Sequence, residues 1–162
     1  MHYLKAGALA LGLLVIPGLS LEARMVSFLV VETGIPRGGA AEASSHWENG
    51  LMDIFFEAGH IVSNGAIKRI ALEDADVLPR EVQGDFDAAA AGGAEFFLLA
   101  LLDYQGNANP SAPKPQQVVL RLFKTKPCRL VAERRYSGVP GAVAEELGAA
   151  KNAAQGIISS IK

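Results

Sequence analysis

The chain has 162 residues, of which 50% are hydrophobic and 20% are charged, and its formal net charge at pH 7 is -2. Proteins that bind nucleic acids or anionic lipids normally carry a strong basic patch. The near-neutral charge of this chain therefore argues against both kinds of partner. The single cysteine, Cys128, excludes an intramolecular disulfide.

The first twenty-three residues have the pattern of an export signal. A short basic segment precedes an unbroken apolar run over 6–16, Pro17 ends that run, and Ala23 offers a small residue at a cleavage site. The run is shorter than the roughly 20 apolar residues that cross a bilayer. We therefore predict a cleaved signal peptide over 1–23, unless it is kept as an anchor, and a single α/β domain over 24–162. The predicted location is periplasmic or extracellular.

Hydrophobic periodicity and turn residues predict the elements of this domain in chain order. They are a strand over 25–32, a helix over about 45–58, a strand over 60–63, a helix over 79–91, a buried strand over 96–102, two strands over 118–124 and 130–136, and a helix over 142–161. Residues 66–78 fit either a strand or a loop. The order β-α-β-(α)-β-β-β-α predicts an α/β fold with a mixed sheet of about five strands and about three helices.

Local signals predict the limits of the first helix. Ser45 and Glu48 fit a capping box, in which the Ser45 hydroxyl accepts from the Glu48 backbone N–H and the Glu48 carboxylate accepts from the Ser45 N–H. Gly59 is the expected stop at the other end. Its predicted buried stripe consists of Trp47, Leu51, Ile54, Phe55 and Ala58.

The order of elements resembles the small α/β envelope domain shared by the N-terminal part of TolB, the penicillin-binding-protein activator LpoB and the curli-secretion protein CsgG. The matching features are the apolar strand 25–32, the helix that ends at Gly59 before the strand 60–63, and the Gly93-Ala94-Glu95 turn before the buried strand 96–102. The resemblance is a pattern over most of 25–161 and has no specific motif. It implies a domain that binds other envelope proteins and has no catalytic residues. The chain departs from several members because it lacks a lipid-attachment cysteine.

Two segments are the candidate partner-binding surfaces. At 100° per residue, a polar stripe on the first helix is formed by His46, Asn49, Asp53 and Glu57. The Pro-rich loop 105–117 is the second, because prolines reduce the entropy lost on binding and Tyr104 at its base could anchor a partner. Its candidate residues are Tyr104, Asn107, Asn109, Pro110, Pro113 and Lys114. We expect an accessory module that binds an envelope protein, with no cofactor.

Two other functions remain open at this stage. The first is a small exported hydrolase that uses carboxylates, for which Asp53, Glu57 and Asp103 are the residues to test. The second is a small-ligand carrier, which would show ligand-dependent melting.

Three local patterns indicate further chemistry only weakly. Glu57 and His60 have a metal-binding E-x-x-H spacing, but that reading needs the helix to pass Gly59 and needs more ligands. Cys128 lies among basic residues that favour the thiolate, yet a turn is a poor scaffold for catalysis. The glycine-containing loop near Arg37 lacks the G-K-[ST] and G-x-G-x-x-G motifs of nucleotide sites.

Overall fold

The computed structural model describes residues 22–34, 42–70, 77–106, 114–137 and 143–161. Its strands are β1 (Met25–Thr33), β2 (Ile61–Asn64), β3 (Lys68–Arg69), β4 (Phe96–Asp103), β5 (Gln117–Lys124) and β6 (Arg129–Ser137). Its α-helices are α1 (Glu42–Glu57), α2 (Gln83–Ala91) and α3 (Val143–Ile158), and a 3-10 turn (Arg80–Val82) precedes α2. The predicted α/β class and element order are confirmed.

The strands form one mixed sheet in the order β2-β1-β4-β5-β6, with β3 paired to β1 beside β2. β1 is parallel to β2, β3 and β4, whereas β4, β5 and β6 are successive antiparallel neighbours. The parallel strands need crossover connections between them, which explains why α1 lies between β1 and β2 and α2 lies between β3 and β4. The two-residue strand β3 occupies part of the region that the sequence left open.

The first face of the sheet is covered by α1 and α3. Alternate residues of β1 and β4, such as Phe28 and Leu98, pack there against Trp47, Leu51 and Phe55 of α1. The two helices approach so closely that a Cβ added at Gly50 would lie 2.7 Å from the Ala150 Cβ. Gly50 therefore permits the helix contact that closes this face.

The second face carries α2 alone among the described helices. Leu29, Phe97 and Phe123 point to this side and pack with Phe86 of α2. The Phe86 ring meets the rings of Phe97 and Phe123 edge-on, at centroid distances of 5.5 and 6.1 Å. The strand residues of this face are buried, and Val82 of the 3-10 turn and the partly buried Ile70 and Leu78 join α2 in covering them.

A polar network lies beside α2 on the second face, at the β5–β6 end. The buried Arg121 donates from Nε to Glu133 Oε2 at 2.8 Å and from Nη1 to the Val77 carbonyl at 2.9 Å. Arg135 pairs with the other Glu133 oxygen at 2.7 Å. The hydrogen bond from Arg121 is the main cause that lowers the pKa of Glu133. The network thus holds an ionised carboxylate between two strands.

The predicted capping box is wrong. α1 begins at Glu42, so Ser45 and Glu48 lie inside the helix rather than at its first turn. The neighbouring Ser44 is buried, and its hydroxyl lies 2.8 Å from the Tyr104 hydroxyl. Ser44 thus links α1 to the residue that follows β4.

Other boundaries shift by a few residues. α1 ends at Glu57, and the predicted stop at Gly59 is confirmed by its positive φ of 84°. The second predicted helix opens with the 3-10 turn, and α3 ends three residues before Ile161. Residues 1–21 of the predicted signal peptide lie outside the described residues. In the part of the chain that is described, no helix has the length and apolar character to cross a membrane.

Candidate functional site

The outer face of α1 carries most of the predicted polar stripe. Asn49, Asp53 and Glu57 are all exposed there. Lys151 of α3 pairs with Asp53 at 3.1 Å and approaches Glu57 at 3.9 Å. The stripe therefore continues onto α3, and its two carboxylates share one cation.

An exposed phenyl ring lies within this stripe. Phe56 has 69% of its surface exposed, the highest value among the exposed large hydrophobic residues described. At 100° per residue, Asn49, Asp53, Phe56 and Glu57 fall within roughly 100° of one another. We call these four residues the α1 outer face. They join one aromatic group with two acidic groups on a single helical surface.

His46 differs from the rest of the stripe. It is half-buried, and its Nε2 atom is buried without a hydrogen-bond partner among the described residues. At 100° per residue His46 falls between Asp53 and Glu57, but nearer the start of the helix. It therefore lies on the same helical surface as the α1 outer face and is less exposed than the acidic residues.

The predicted loop site is described only at its two ends. Tyr104 is 1% exposed, and burial raises the pKa of its hydroxyl to about 12, with the Ser44 hydrogen bond acting in the opposite direction. A buried ring does not offer a partner the exposed anchor that the sequence suggested, because Tyr104 instead joins β4 to α1. Lys114 is half-buried, and the other candidates, Asn107, Asn109, Pro110 and Pro113, lie outside the described residues.

The geometry does not bring together the ligands of the E-x-x-H pattern. The helix stops before Gly59, and His60 is buried beyond it, whereas Glu57 is exposed. His60 Nδ1 accepts from the Arg24 backbone N–H at 3.3 Å, and burial together with the Arg24 charge lowers the His60 pKa. Within the described ranges, no group of three or more His, Cys, Asp or Glu residues could hold a metal ion.

The remaining candidates lie apart from one another. Asp103, at the end of β4, accepts from the Thr33 hydroxyl at 3.3 Å and from the Gln105 backbone N–H at 2.9 Å. It therefore ties together two strand ends, far along the chain from Asp53 and Glu57. Cys128 is exposed in the turn between β5 and β6.

Sequence reasoning missed a buried polar cluster at the carboxyl ends of β1 and β4. Glu32 is 1% exposed, its Oε2 pairs with Arg69 Nε at 2.6 Å, and its Oε1 has no hydrogen-bond partner within the described part of the chain. Glu146 of α3 is also buried, and both acids help to raise the Tyr104 pKa. The available signal was the position of Glu32 and Tyr104, each within two residues of the end of an apolar strand run, because parallel strands end at the same edge of a sheet.

No family profile matches this chain, and no curated protein sequence does. Among solved structures, it is similar to a single-substitution variant of PelC from Paraburkholderia phytofirmans, described as a dodecamer, at 12% identity and TM-score 0.46 over 86% of this chain and 90% of that one. It is similar to TolB from Acinetobacter baumannii at 9% identity and TM-score 0.47, over 87% of this chain but 29% of TolB. It is also similar to lipoprotein GNA1162 from Neisseria meningitidis, at 11% identity and TM-score 0.44 over 84% and 98% of the two chains. The resemblance to TolB noted in the sequence thus recurs among the solved structures, but likenesses this distant carry no argument about function.

Proposed function

We propose that this protein is an exported accessory module without catalytic activity, and that it binds another protein of the cell envelope through the α1 outer face. The observation that carries the proposal is the exposure of Phe56 on the same helical surface as Asp53 and Glu57. Export is supported by the signal-like pattern of residues 1–23.

An exposed aromatic ring next to charged side chains has the composition of a binding hot spot. Interface centres are rich in aromatic residues, and polar groups around them exclude water and set orientation. Burying a phenylalanine side chain is worth about 1.5–3 kcal/mol, so Phe56 alone could supply a large share of a modest affinity. This gain is available only when a partner covers the ring.

The acidic residues define the chemistry of the partner. Asp53 and Glu57 are exposed and share Lys151, so the local charge of the three groups is net negative. Opposite charge on a partner raises the association rate and fixes the orientation of docking. We therefore expect a partner surface with an apolar pocket bordered by Lys or Arg.

The test is a crosslinked pull-down from native envelopes with the protein purified after expression of the full chain. The wild type should recover one dominant partner, and Phe56→Ser should lose it. Val77→Ser is the matched control, because Val77 is also an exposed large hydrophobic residue but lies by Arg121 on the second face of the sheet. Circular dichroism should show that both variants keep the wild-type fold.

Two outcomes would contradict the proposal. Recovery of the same partner with Phe56→Ser would remove the α1 outer face from the interface. Absence of any dominant partner in the wild-type sample would remove the binding function itself. A third arm, a deletion of 107–113, tests the predicted loop site, and loss of the partner in that variant alone would move the interface to the loop.

A further inference from the structure

A cavity of about 260 Å³ opens on the second face of the sheet, between α2 and the paired strands β1 and β2. It is lined by Met25, Ser27, Phe28, Leu29, Ser63, Asn64, Gly65, Asp85, Ala88, Ala89, Gly92 and Phe97. An apolar cavity of about 150 Å³ already holds benzene, so this volume admits a ring with a short side chain. The cavity is therefore large enough for a small organic ligand.

Its walls combine apolar surface with four residues whose side chains carry oxygen, Ser27, Ser63, Asn64 and Asp85. Leu29 and Phe97 belong to the buried cluster of the second face and form part of the apolar wall. Ser27 and Ser63 are register partners on the parallel strands β1 and β2, so their hydroxyls lie on the same side of the sheet. Both hydroxyls can accept a hydrogen bond from a ligand.

Asp85 gives the cavity its charge. Its Oδ2 atom is bound by Lys68 Nζ, which also donates to the Glu81 carbonyl at 3.4 Å. Its Oδ1 atom lies next to Gly65, 4.0 Å from the position a Cβ would take there. Lys68 thus holds the Asp85 carboxylate by its Oδ2 atom, and the Oδ1 atom lies beside Gly65, which lines the cavity.

Among the described lining residues there is no Lys, Arg or His. Asn64 is the register partner of Phe28, and its Nδ2 donates to Glu48 Oε1 of α1 at 2.9 Å, so its side chain is directed towards the first face of the sheet. Of the polar side chains that remain, the Asp85 carboxylate only accepts hydrogen bonds, and the two serine hydroxyls can donate or accept. A ligand that carries hydrogen-bond donors and positive charge complements such a site, whereas a carboxylate ligand would meet Asp85 as a like charge.

We propose that this cavity binds a small primary amine with an apolar body, of the arylalkylamine class. The ammonium group donates to Asp85 Oδ1 and to the hydroxyls of Ser27 and Ser63. The apolar body lies against Leu29, Phe97 and the exposed Ala88 at the rim. Lys68 offsets part of the Asp85 charge, which sets the affinity below that of a site with an unshared carboxylate.

The experiment uses phenethylamine as the probe and 3-phenylpropanoate as its charge-reversed counterpart, titrated into the protein purified after expression of the full chain. Binding is followed by NMR shifts of backbone amides. Phenethylamine should shift the amides of Ser27, Gly65 and Ala88, and 3-phenylpropanoate should not. Asp85→Asn should weaken phenethylamine binding by about tenfold or more, the usual contribution of a hydrogen bond to a charged group.

Two variants separate the cavity from the rest of α2. Ala88→Phe should abolish binding, because it fills the rim from an exposed position that tolerates a larger side chain without disturbing the core. Asp87→Asn should leave the affinity unchanged, because Asp87 is an exposed acid on the same helix that accepts from Gln83 and does not line the cavity.

The proposal is overturned if phenethylamine causes no shifts at the cavity, if the acid binds as well as the amine, or if Asp85→Asn and Ala88→Phe both bind like the wild type. It stands independently of partner binding. Phe56 belongs to α1 on the other side of the sheet. The Phe56→Ser variant should therefore keep full amine binding even if it no longer captures a partner protein.

Discussion

The apolar residues on the two faces of the sheet are buried in different ways. The first face is covered by α1 and α3, which touch each other at Gly50 and Ala150 and leave the apolar strand residues closely packed. The second face has α2 as its one described helix, with an ion-paired arginine on one side of it and a cavity on the other. Close packing gives the first face rigidity, whereas the second face combines a buried apolar cluster with an ion-paired network and a cavity.

The largest expected effect comes from disturbing the helix contact of the first face. Gly50→Ala should destabilise the protein by about 1–3 kcal/mol, because the new Cβ would overlap Ala150 and press on the Leu147 carbonyl. Urea unfolding measures the change. Adding Ala150→Gly removes the opposing Cβ and should recover part of the loss. A Gly50→Ala variant as stable as the wild type would show that the helices are free to separate.

An intermediate effect is expected in the polar network of the second face. Glu133→Gln should cost about 1–2 kcal/mol at pH 7, because it replaces two charge-assisted hydrogen bonds with weaker ones. The folded pKa of Glu133 lies below its ordinary value of 4.5, so its contribution is present above pH 4.5 and disappears as the pH falls through the lower, folded value. The difference between variant and wild type should therefore shrink in acid.

Urea unfolding at neutral pH and in acid below the folded pKa tests this prediction. An equal difference at the two pH values would show that the network does not depend on the charge of Glu133. Glu81→Gln provides the control, since Glu81 is exposed in the 3-10 turn outside this network and its substitution should have little effect at either pH.

The smallest expected effect has the opposite sign. A Cβ at Gly84 of α2 would meet nothing within 4 Å, and Gly84 is not among the glycines with positive φ. Gly84→Ala should therefore stabilise the protein by about 0.4–1 kcal/mol through the unfolded state. Thermal unfolding measures it, with Gly93→Ala as a contrast, because Gly93 has a φ of 91° that alanine tolerates poorly. If Gly50→Ala and Gly84→Ala had the same effect, the contrast between the two faces would fail.

The sequence predicted the strands well because their signals are local. The apolar runs of β1 and β4 are typical of strands buried on both faces, and both lie where they were expected. The start of α1 was wrong by three residues, because Ser45 and Glu48 have the spacing of a capping box but lie inside a helix that begins at Glu42. The Ser44–Tyr104 hydrogen bond joins residues sixty positions apart, and no local pattern shows such a contact.

The candidate site was predictable only in part. Helical spacing placed Asn49, Asp53 and Glu57 on one exposed face. The predicted stripe was defined by polar residues and therefore did not include Phe56. The cavity combines Ser27, Ser63 and Asp85 from three separate elements, and each is ordinary in its own stretch of sequence. Such a site exists only once the parallel register of β1 and β2 and the position of α2 are known.

The interior position of β1 in the sheet has a consequence for the growing chain. β1 pairs with β4 in a register that joins Val26 to Phe96, so the partner strand is synthesised seventy residues later. Until then, the apolar segment Met25–Thr33 has no β4 to cover it and has the composition of an aggregation-prone stretch. Contacts this distant in sequence also slow folding. An interior strand of the finished sheet is thus a hydrophobic segment that stays without one of its two neighbours through much of synthesis, when such segments are prone to aggregate.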